Sequence, residues 1–468
     1  MRNFFSLNFL YILLIAAESA AIIFLCIYIP ALLPAVAVFV GAWLASVIAV
    51  IAVAARGGSP EINCALSLLI IALPVVGAVI FALSHIGGKE YGTLTLENAE
   101  PQGGLESAAF ECCGVCGAGY DRAEYFTCGE DYFKRLFKEI EKAEKRVCLE
   151  YFIVCRGKIF SRLLAALRNA KNNGAEIKII VDGIGSAFKA GRREMKKLKT
   201  VGAEVKVFHR LKPLIYSRIN YRDHRKIAAI DGKVAFTGGI NIADEYANID
   251  SPHGYWKDTG VAVYGAAAEV FEGMFLAVWN KSYKTEISGS GKHRCLPFYD
   301  SPPHRAGFCE NAYAAAINSA RERVHIFTPY FCATDKTAAA LEFAAMRGVD
   351  VRIIIPHIPD KKYTFELSKA SALPLAAKGV RFYEYSPGFM HAKSMVCDDS
   401  AFIGTYNFDF RSMRLNYECG IMFKGEICEQ VERDFWECLR LSSPFCEGKI
   451  SPFRRVLRFI LRLFAPLM

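Results

Sequence analysis

Three segments of this chain occur twice and in the same order, and that repetition limits the fold more than any other feature of its 468 residues. AEKRVCLEYFIV (Ala143 to Val154) is echoed by ARERVHIFTPYF (Ala320 to Phe331): a helix end, a basic break, then an apolar strand-like run. LRNAKNNGAEIKIIVDG (Leu167 to Gly183) is echoed by LEFAAMRGVDVRIIIPH (Leu341 to His357), and LKTVGAEVKVFH (Leu198 to His209) by LAAKGVRFYEY (Leu375 to Tyr385). Each of these pairs reads as a helix, a glycine and a strand, and three matched units in one order mean a duplicated domain. Strands alternating with helices of ten or more residues belong to the α/β class, with helices flanking mixed sheets. Two such halves are expected to pack face to face, with one site at their interface built from equivalent residues of each.

Next in each half comes the spacing H-x-K-x4-D: His224, Lys226 and Asp231 in the first, His391, Lys393 and Asp398 in the second. Alternation along a strand puts His and Lys on one face, so each half delivers an imidazole and an ammonium side by side. A lone His beside a Lys is most often a surface or core residue; the same spacing twice, inside a duplicated fold, reverses that reading. These six are the catalytic candidates, although the Asp of each set reads more as a residue that closes the strand and turn. A glycine turn with an Asn follows in both halves, Gly238-Gly239-Ile240-Asn241 and Gly404-Thr405-Tyr406-Asn407. Glycine lets backbone approach closely, and the amides of Asn241 and Asn407 can donate to a phosphate oxygen. Two Lys and two Asn converging on one point would make a cradle for a phosphodiester with developing negative charge.

The paired motifs resemble those of the phospholipase D superfamily. The text around them resembles bacterial cardiolipin synthases, carried by NYRDHRKIAAIDGKVAFTGGINIADEY (Asn220 to Tyr246), YWKDT (Tyr255 to Thr259) and HAKSMVCDDSAFIGTYNFDFRSMRLNYE (His391 to Glu418). The similarity covers nearly everything from about Tyr120 onward. It implies two phospholipase D-like α-β-α halves and a covalent mechanism: one His attacks phosphorus, while the other protonates the departing alcohol and later activates the acceptor. By that analogy His224 is the nucleophile and His391 the acid/base, with Lys226, Lys393, Asn241 and Asn407 on the phosphate. The family's tethering carboxylates match Asp258, assigned to His224, and Glu418, assigned to His391. A synthase of this type transfers a phosphatidyl group between two phosphatidylglycerol molecules, releases glycerol, and needs no nucleotide, metal or other cofactor. The rival readings are a hydrolase releasing phosphatidic acid, a transferase using another alcohol, a nuclease of the same superfamily, and a scaffold with a dead site. Both motifs are intact, which argues against the last. Tyr406, where a small residue is commoner, is expected to narrow the pocket.

The chain is 53% hydrophobic and only 22% charged, and the apolar excess lies at the N-terminus. Phe9 to Ile29, broken only by Glu18, Ala35 to Ala55, and Ile62 to Ile86 are each long enough to span a hydrocarbon core of roughly 30 Å. Residues 1–88 are therefore read as a membrane anchor with about three transmembrane helices and 89–119 as a linker. The two halves then occupy 120–288 and 289–450, and 451–468 a basic tail. In that tail Arg454, Arg455, Arg458 and Arg462 punctuate an apolar helix suited to an anionic membrane surface. The net charge of +10 fits either anionic lipid or nucleic acid. The anchor and the resemblance favour phosphatidylglycerol and other anionic membrane lipids as partners, with no nucleic acid. The resemblance also implies a multi-pass plasma-membrane protein whose catalytic domain is cytoplasmic. Most of the 16 cysteines read as free thiols in a reducing compartment. The cluster Cys112, Cys113, Cys116 and Cys128 reads as a Cys-rich connector, not a metal site.

Overall fold

The computed structural model describes residues 16–24, 33–55, 60–73, 93–97, 117–186, 192–210, 221–286, 290–301, 308–446 and 450–465. Glu90–Arg210 and Tyr221–Arg458 form one compact unit that holds both repeats. Its first sheet has seven strands: β1 (Arg122–Phe126), β2 (Arg146–Tyr151), β3 (Glu176–Asp182), β4 (Glu204–Phe208), β5 (Lys226–Ile230), β6 (Val234–Gly238) and β7 (Gly260–Tyr264). The second is built on β8 (His293–Asp300), β9 (Arg323–Phe327), β10 (Asp350–Pro356), β11 (Arg381–Tyr385), β12 (Ser394–Cys397), β13 (Ser400–Gly404) and β14 (Glu418–Lys424). Across the first sheet the order is β1-β7-β6-β5-β2-β3-β4, and across the second β8-β14-β13-β12-β9-β10-β11. The two orders are the same, strand for strand. Parallel pairing of β2 with β3 and β3 with β4 recurs as β9 with β10 and β10 with β11. The duplication read from the sequence is thus a duplication of topology.

The helix-Gly-strand units form where the sequence places them. Helix Lys158–Asn172 buries Ile159, Phe160, Leu163, Leu164 and Leu167 on one face, the spacing of an amphipathic helix. It stops before Gly174, whose φ of +96° only glycine adopts without strain, and β3 follows. The two sheets meet through a shared core in which Ile227, Ala229, Val261 and Val263 of the first half pack with Val396, Ile403, Ile421 and Phe423 of the second. Helices Gly129–Glu141 and Lys158–Asn172 cover the outer face of the first sheet, and Phe308–Ser319 and Asp335–Met346 that of the second. Each half is therefore α-β-α-like, and the halves face each other as expected.

Two departures concern the stretch expected to be a linker. Thr93–Glu97 is a strand paired in parallel with Ser282–Glu286, and Leu94 is buried. Ala118–Tyr120 extends the second sheet by pairing with His293–Cys295, so the chain touches the second half before it builds the first. A five-residue strand gives too short an alternation to stand out from its polar surroundings. Cys112, Cys113 and Cys116 lie outside the described residues; the Cys128 thiol donates to Asp131, and no cluster of potential metal ligands occurs among the described residues.

The other unit includes residues 1–89. Its helices Leu33–Ala55 and Pro60–Ala72 pack through Ala49, Val53, Leu66 and Ile70. The second expected span coincides with Leu33–Ala55, whose side chains are described from Val40, and the third begins as Pro60–Ala72, 13 residues long. Residues 16–24 of the first are helical; the remainder of the first and third spans lies outside the described residues. Counting only residues whose side chains are described, Val40 onward in the longer helix, no helix is long and apolar enough to cross a membrane. The expected tail helix forms as Pro452–Phe464, with Arg458 buried against Glu366 at 2.8 Å and Phe453 and Val456 exposed.

Candidate active site

Each motif histidine stands just before a strand, with Lys226 opening β5 and Lys393 immediately preceding β12, and each is fixed by backbone of the opposite half. Gly388–Met390 pairs in parallel with Tyr255–Lys257, with Met390 opposite Lys257; Asp223 bridges Tyr417, also in parallel. In a parallel register the next residue on each chain advances in the same direction. His391 therefore falls beside Asp258, and His224 beside Glu418. The His391 backbone N–H donates to Lys257 O at 2.7 Å and that of His224 to Tyr417 O at 2.9 Å. His391 Nδ1 lies 2.6 Å from Asp258 Oδ2, and His224 Nδ1 lies 2.9 Å from both oxygens of Glu418. Asp258 and Glu418 are the tethering acids, but the pairing is crossed: the assignment of Asp258 to His224 and Glu418 to His391 is corrected. Each dyad joins the two halves.

The two dyads are not equivalent. Gly239 and Thr405 hold matching positions in the two glycine turns. A Cβ at Gly239 would run into Asp258 Oδ1, so glycine is needed for the carboxylate to reach His391. At the matching place Thr405 Oγ1 donates to Glu418 Oε2, and Asn416 Nδ2 donates to Oε1 at 3.2 Å. Burial alone would raise Glu418, but the His224 imidazole, the Lys226 charge and the Thr405 hydroxyl hold it below the usual carboxylate range. Asp258 lacks such a hydroxyl donor, and burial pushes it up to about 7.

Lys226 and Lys393 are buried beside their histidines. Lys226 Nζ donates to His224 O at 2.6 Å; Lys393 Nζ donates to His391 O and lies 2.9 Å from His391 Nδ1. Burial draws Lys226 down to about 8 and Lys393 down to about 7, since desolvation disfavours the charged form. Burial also lowers His224, against the pull of Glu418. Burial and then the charges of Lys393 and Lys226 hold His391 well below its ordinary value. The centre thus holds two imidazoles shifted toward their neutral forms beside two buried lysines whose positive charge desolvation disfavours and a bound anion would favour.

Several sequence-derived roles change. Asp231 (φ +56°) and Asp398 (φ +49°) sit in the β5–β6 and β12–β13 hairpin turns. Asp231 accepts from the backbone N–H groups of Glu144, Lys145 and Arg146, and Asp398 from those of Arg321, Glu322 and Arg323. They close the turns and tie them to the starts of β2 and β9, which removes both from the catalytic set. Asn241 is also engaged internally: its Oδ1 accepts from Ile153 N–H at 3.0 Å and its Nδ2 donates to Tyr246 Oη at 2.7 Å. It shapes the loop that carries Tyr246, whose ring lies 5.3 Å from that of His391. Asn407 Nδ2 donates to Asp409 at 3.0 Å. Tyr406 does not narrow the pocket; its ring stacks on Phe298 in the core and its hydroxyl meets Cys309 Sγ.

Comparison with known proteins finds the same two halves. The model of the family described as "Cardiolipin synthase, PLD-like domain" matches residues 136–268 and 313–439, one copy per half. The chain belongs to the cardiolipin synthase family. Its reaction class is phosphatidyl transfer. It is 35% identical over 358 residues to a cardiolipin synthase of Clostridium perfringens, covering 72% of this chain and 75% of that protein. It is 34% identical over 366 residues to one of Geobacillus thermodenitrificans, covering 73% and 71%. Among solved structures the fold is similar to phosphatidylserine synthase of Haemophilus influenzae, with a TM-score of 0.59 and 13% identity over 78% of this chain and 98% of that one.

In this member of the cardiolipin synthase family, other buried ion pairs support the dyads. Lys257, whose carbonyl anchors His391, buries its ammonium against Asp434 at 2.7 Å and Thr127 O at 2.6 Å. Tyr125 adds a hydrogen bond to the same carboxylate. Arg222 grips Asp182 and Arg225 grips Glu150 and Asp223, fixing the segment on either side of His224. Asp434 was detectable as an acid on the apolar face of helix Glu426–Arg440, between Val431 and Phe435. A buried acid needs a buried partner, but nothing in the sequence singled out Lys257 for that role.

Proposed function

We propose that the protein joins two phosphatidylglycerol molecules into cardiolipin with release of glycerol, through a phosphohistidine intermediate. The observation that carries this reading is the pair of crossed His–carboxylate dyads flanking two buried ammonium groups. That centre offers one nucleophile, one proton carrier and two charges for the equatorial oxygens of a single phosphodiester. His224 takes the nucleophilic role. Glu418, kept ionised, fixes the His224 proton on Nδ1 and leaves the Nε2 lone pair for attack. His391 takes the acid/base role. Its partner Asp258 lies near neutrality, and the negative charge of a bound phosphodiester raises both His391 and the lysines toward their protonated forms. Protonating the glycerol oxygen expels it; the same nitrogen then draws the proton from the hydroxyl of the second lipid as that oxygen attacks phosphorus.

The apolar stretches of residues 1–88 and the basic tail helix support a multi-pass plasma-membrane location with a cytoplasmic catalytic unit. At an anionic lipid surface a lipid alcohol competes well with water. The test is to incubate the detergent-purified protein with phosphatidylglycerol alone and identify products by mass spectrometry beside His224→Ala. Cardiolipin and glycerol, absent in the variant, are the expected outcome. Phosphatidic acid alone would make the protein a hydrolase, and cardiolipin from His224→Ala would remove the nucleophile assignment.

A further inference from the structure

The reaction proposed above brings together two phosphodiesters, and Lys226 and Lys393 suffice for only one. The acceptor lipid carries its own negative phosphate and, beside it, the glycerol hydroxyls of its head group. A second cation with a hydroxyl acceptor next to it is therefore the chemistry to look for around His391, the residue that activates that alcohol.

Tyr330, Asp360 and Lys361 supply it. The ring of buried Phe389 lies 5.7 Å from that of His391, and the Tyr330 ring lies 6.3 Å from that of Phe389. Tyr330 Oη donates to Asp360 Oδ2 at 2.5 Å; burial first, and then the Asp360 charge, keep that phenol protonated. Asp360 Oδ1 is shielded from solvent and has no hydrogen-bond partner, although a carboxylate oxygen in such a place demands one. Lys361 Nζ sits 5.5 Å from the Tyr330 ring centroid and 3.9 Å from Asp360 Oδ2, with its side chain half exposed. Lys361 lies near enough to His391, and Asp360 to Tyr246, for the charges to act on them. Among the described residues the ammonium has a loose ion pair, with a carboxylate already committed to Tyr330. We propose that Asp360 and Lys361 form the acceptor subsite: Asp360 Oδ1 accepts a hydrogen bond from a head-group hydroxyl and Lys361 pairs with the acceptor's phosphate. Lys361 is then a specificity residue that favours an anionic lipid alcohol over a neutral one.

The inference rests on the phosphatidylglycerol reading, and the experiment separates the two. The full-length protein is given phosphatidylglycerol vesicles with isotopically labelled glycerol. Cardiolipin formation and label exchange into phosphatidylglycerol are followed together. Exchange uses the same donor but an acceptor with no phosphate. Lys361→Ala is expected to raise the phosphatidylglycerol concentration needed for half-maximal cardiolipin formation at least tenfold while exchange stays within twofold, and Lys361→Arg to restore cardiolipin. Equal loss of both reactions, or cardiolipin formation unchanged in Lys361→Ala, would overturn the subsite. A wild-type protein that makes phosphatidic acid but neither cardiolipin nor exchanged lipid would overturn the phosphatidylglycerol reading and the subsite with it.

Discussion

Gly239 and Asp258 share a space that admits no side chain at position 239, because a Cβ there would collide with Asp258 Oδ1. Gly239→Ala is expected to push the carboxylate off His391 and to lower turnover about 100-fold or more, the order lost with a general acid–base. Cardiolipin formation and a thermal melt on the same preparation check this. A folded variant with turnover near wild type would show that Asp258 has room to move without consequence.

The crossed dyads predict which half-reaction each acid serves. With an activated aryl phosphodiester, whose leaving group needs no proton, Asp258→Asn is expected to accumulate the adduct on His224 because the second step lacks its base. Glu418→Gln is expected to slow adduct formation itself, by about 100-fold on the same scale. Intact-protein mass spectrometry after rapid quench reads both. The opposite pattern would exchange the roles of His224 and His391.

Because Lys393 is drawn down to about 7 and Lys226 to about 8, the free centre loses positive charge as pH rises through that range. The profile of kcat/KM is therefore expected to fall as pH rises above about 7. A bound phosphodiester favours the protonated ammonium, so the matching fall in kcat should come at higher pH. Steady-state rates across pH 6 to 10 test the order of the two limbs; coincident limbs would mean that the lysines do not face the bound phosphate.

Asp231 and Asp398 should matter for folding and not for chemistry. Each accepts three backbone N–H groups, and those donors hold each carboxyl below its ordinary value despite some burial. A depressed folded-state value stabilises the fold above the unfolded carboxylate range and loses that contribution as pH falls through the folded value. Asp398→Ala is expected to cost about 1–3 kcal/mol, strained further by the positive φ, with kcat/KM little changed. Thermal melts at pH 7 and at pH 3, where the wild-type advantage should shrink, provide the check.

The fold was legible because its signals are local. Helix periodicity, a glycine at each helix end and an apolar strand are written within about twenty residues, and their repetition announced the duplicated α/β halves. The His and Lys of each motif were legible for the same reason: two residues two positions apart share a strand face wherever the strand goes. A five-residue strand such as Thr93–Glu97 left too little pattern, and the membrane reading of residues 1–88 rests on composition alone.

What only the tertiary structure decided is which half serves which. In sequence Asp258 follows His224 and Glu418 follows His391, so proximity along the chain favoured pairing within each half. The parallel bridges of Met390 with Lys257 and Asp223 with Tyr417 pair the opposite ends instead. Core stacking likewise took Tyr406 from the pocket. Spacing along a chain fixes which side chains share a face; the register between distant strands fixes which of them meet, and that register is set only when two sheets bury their apolar faces against each other.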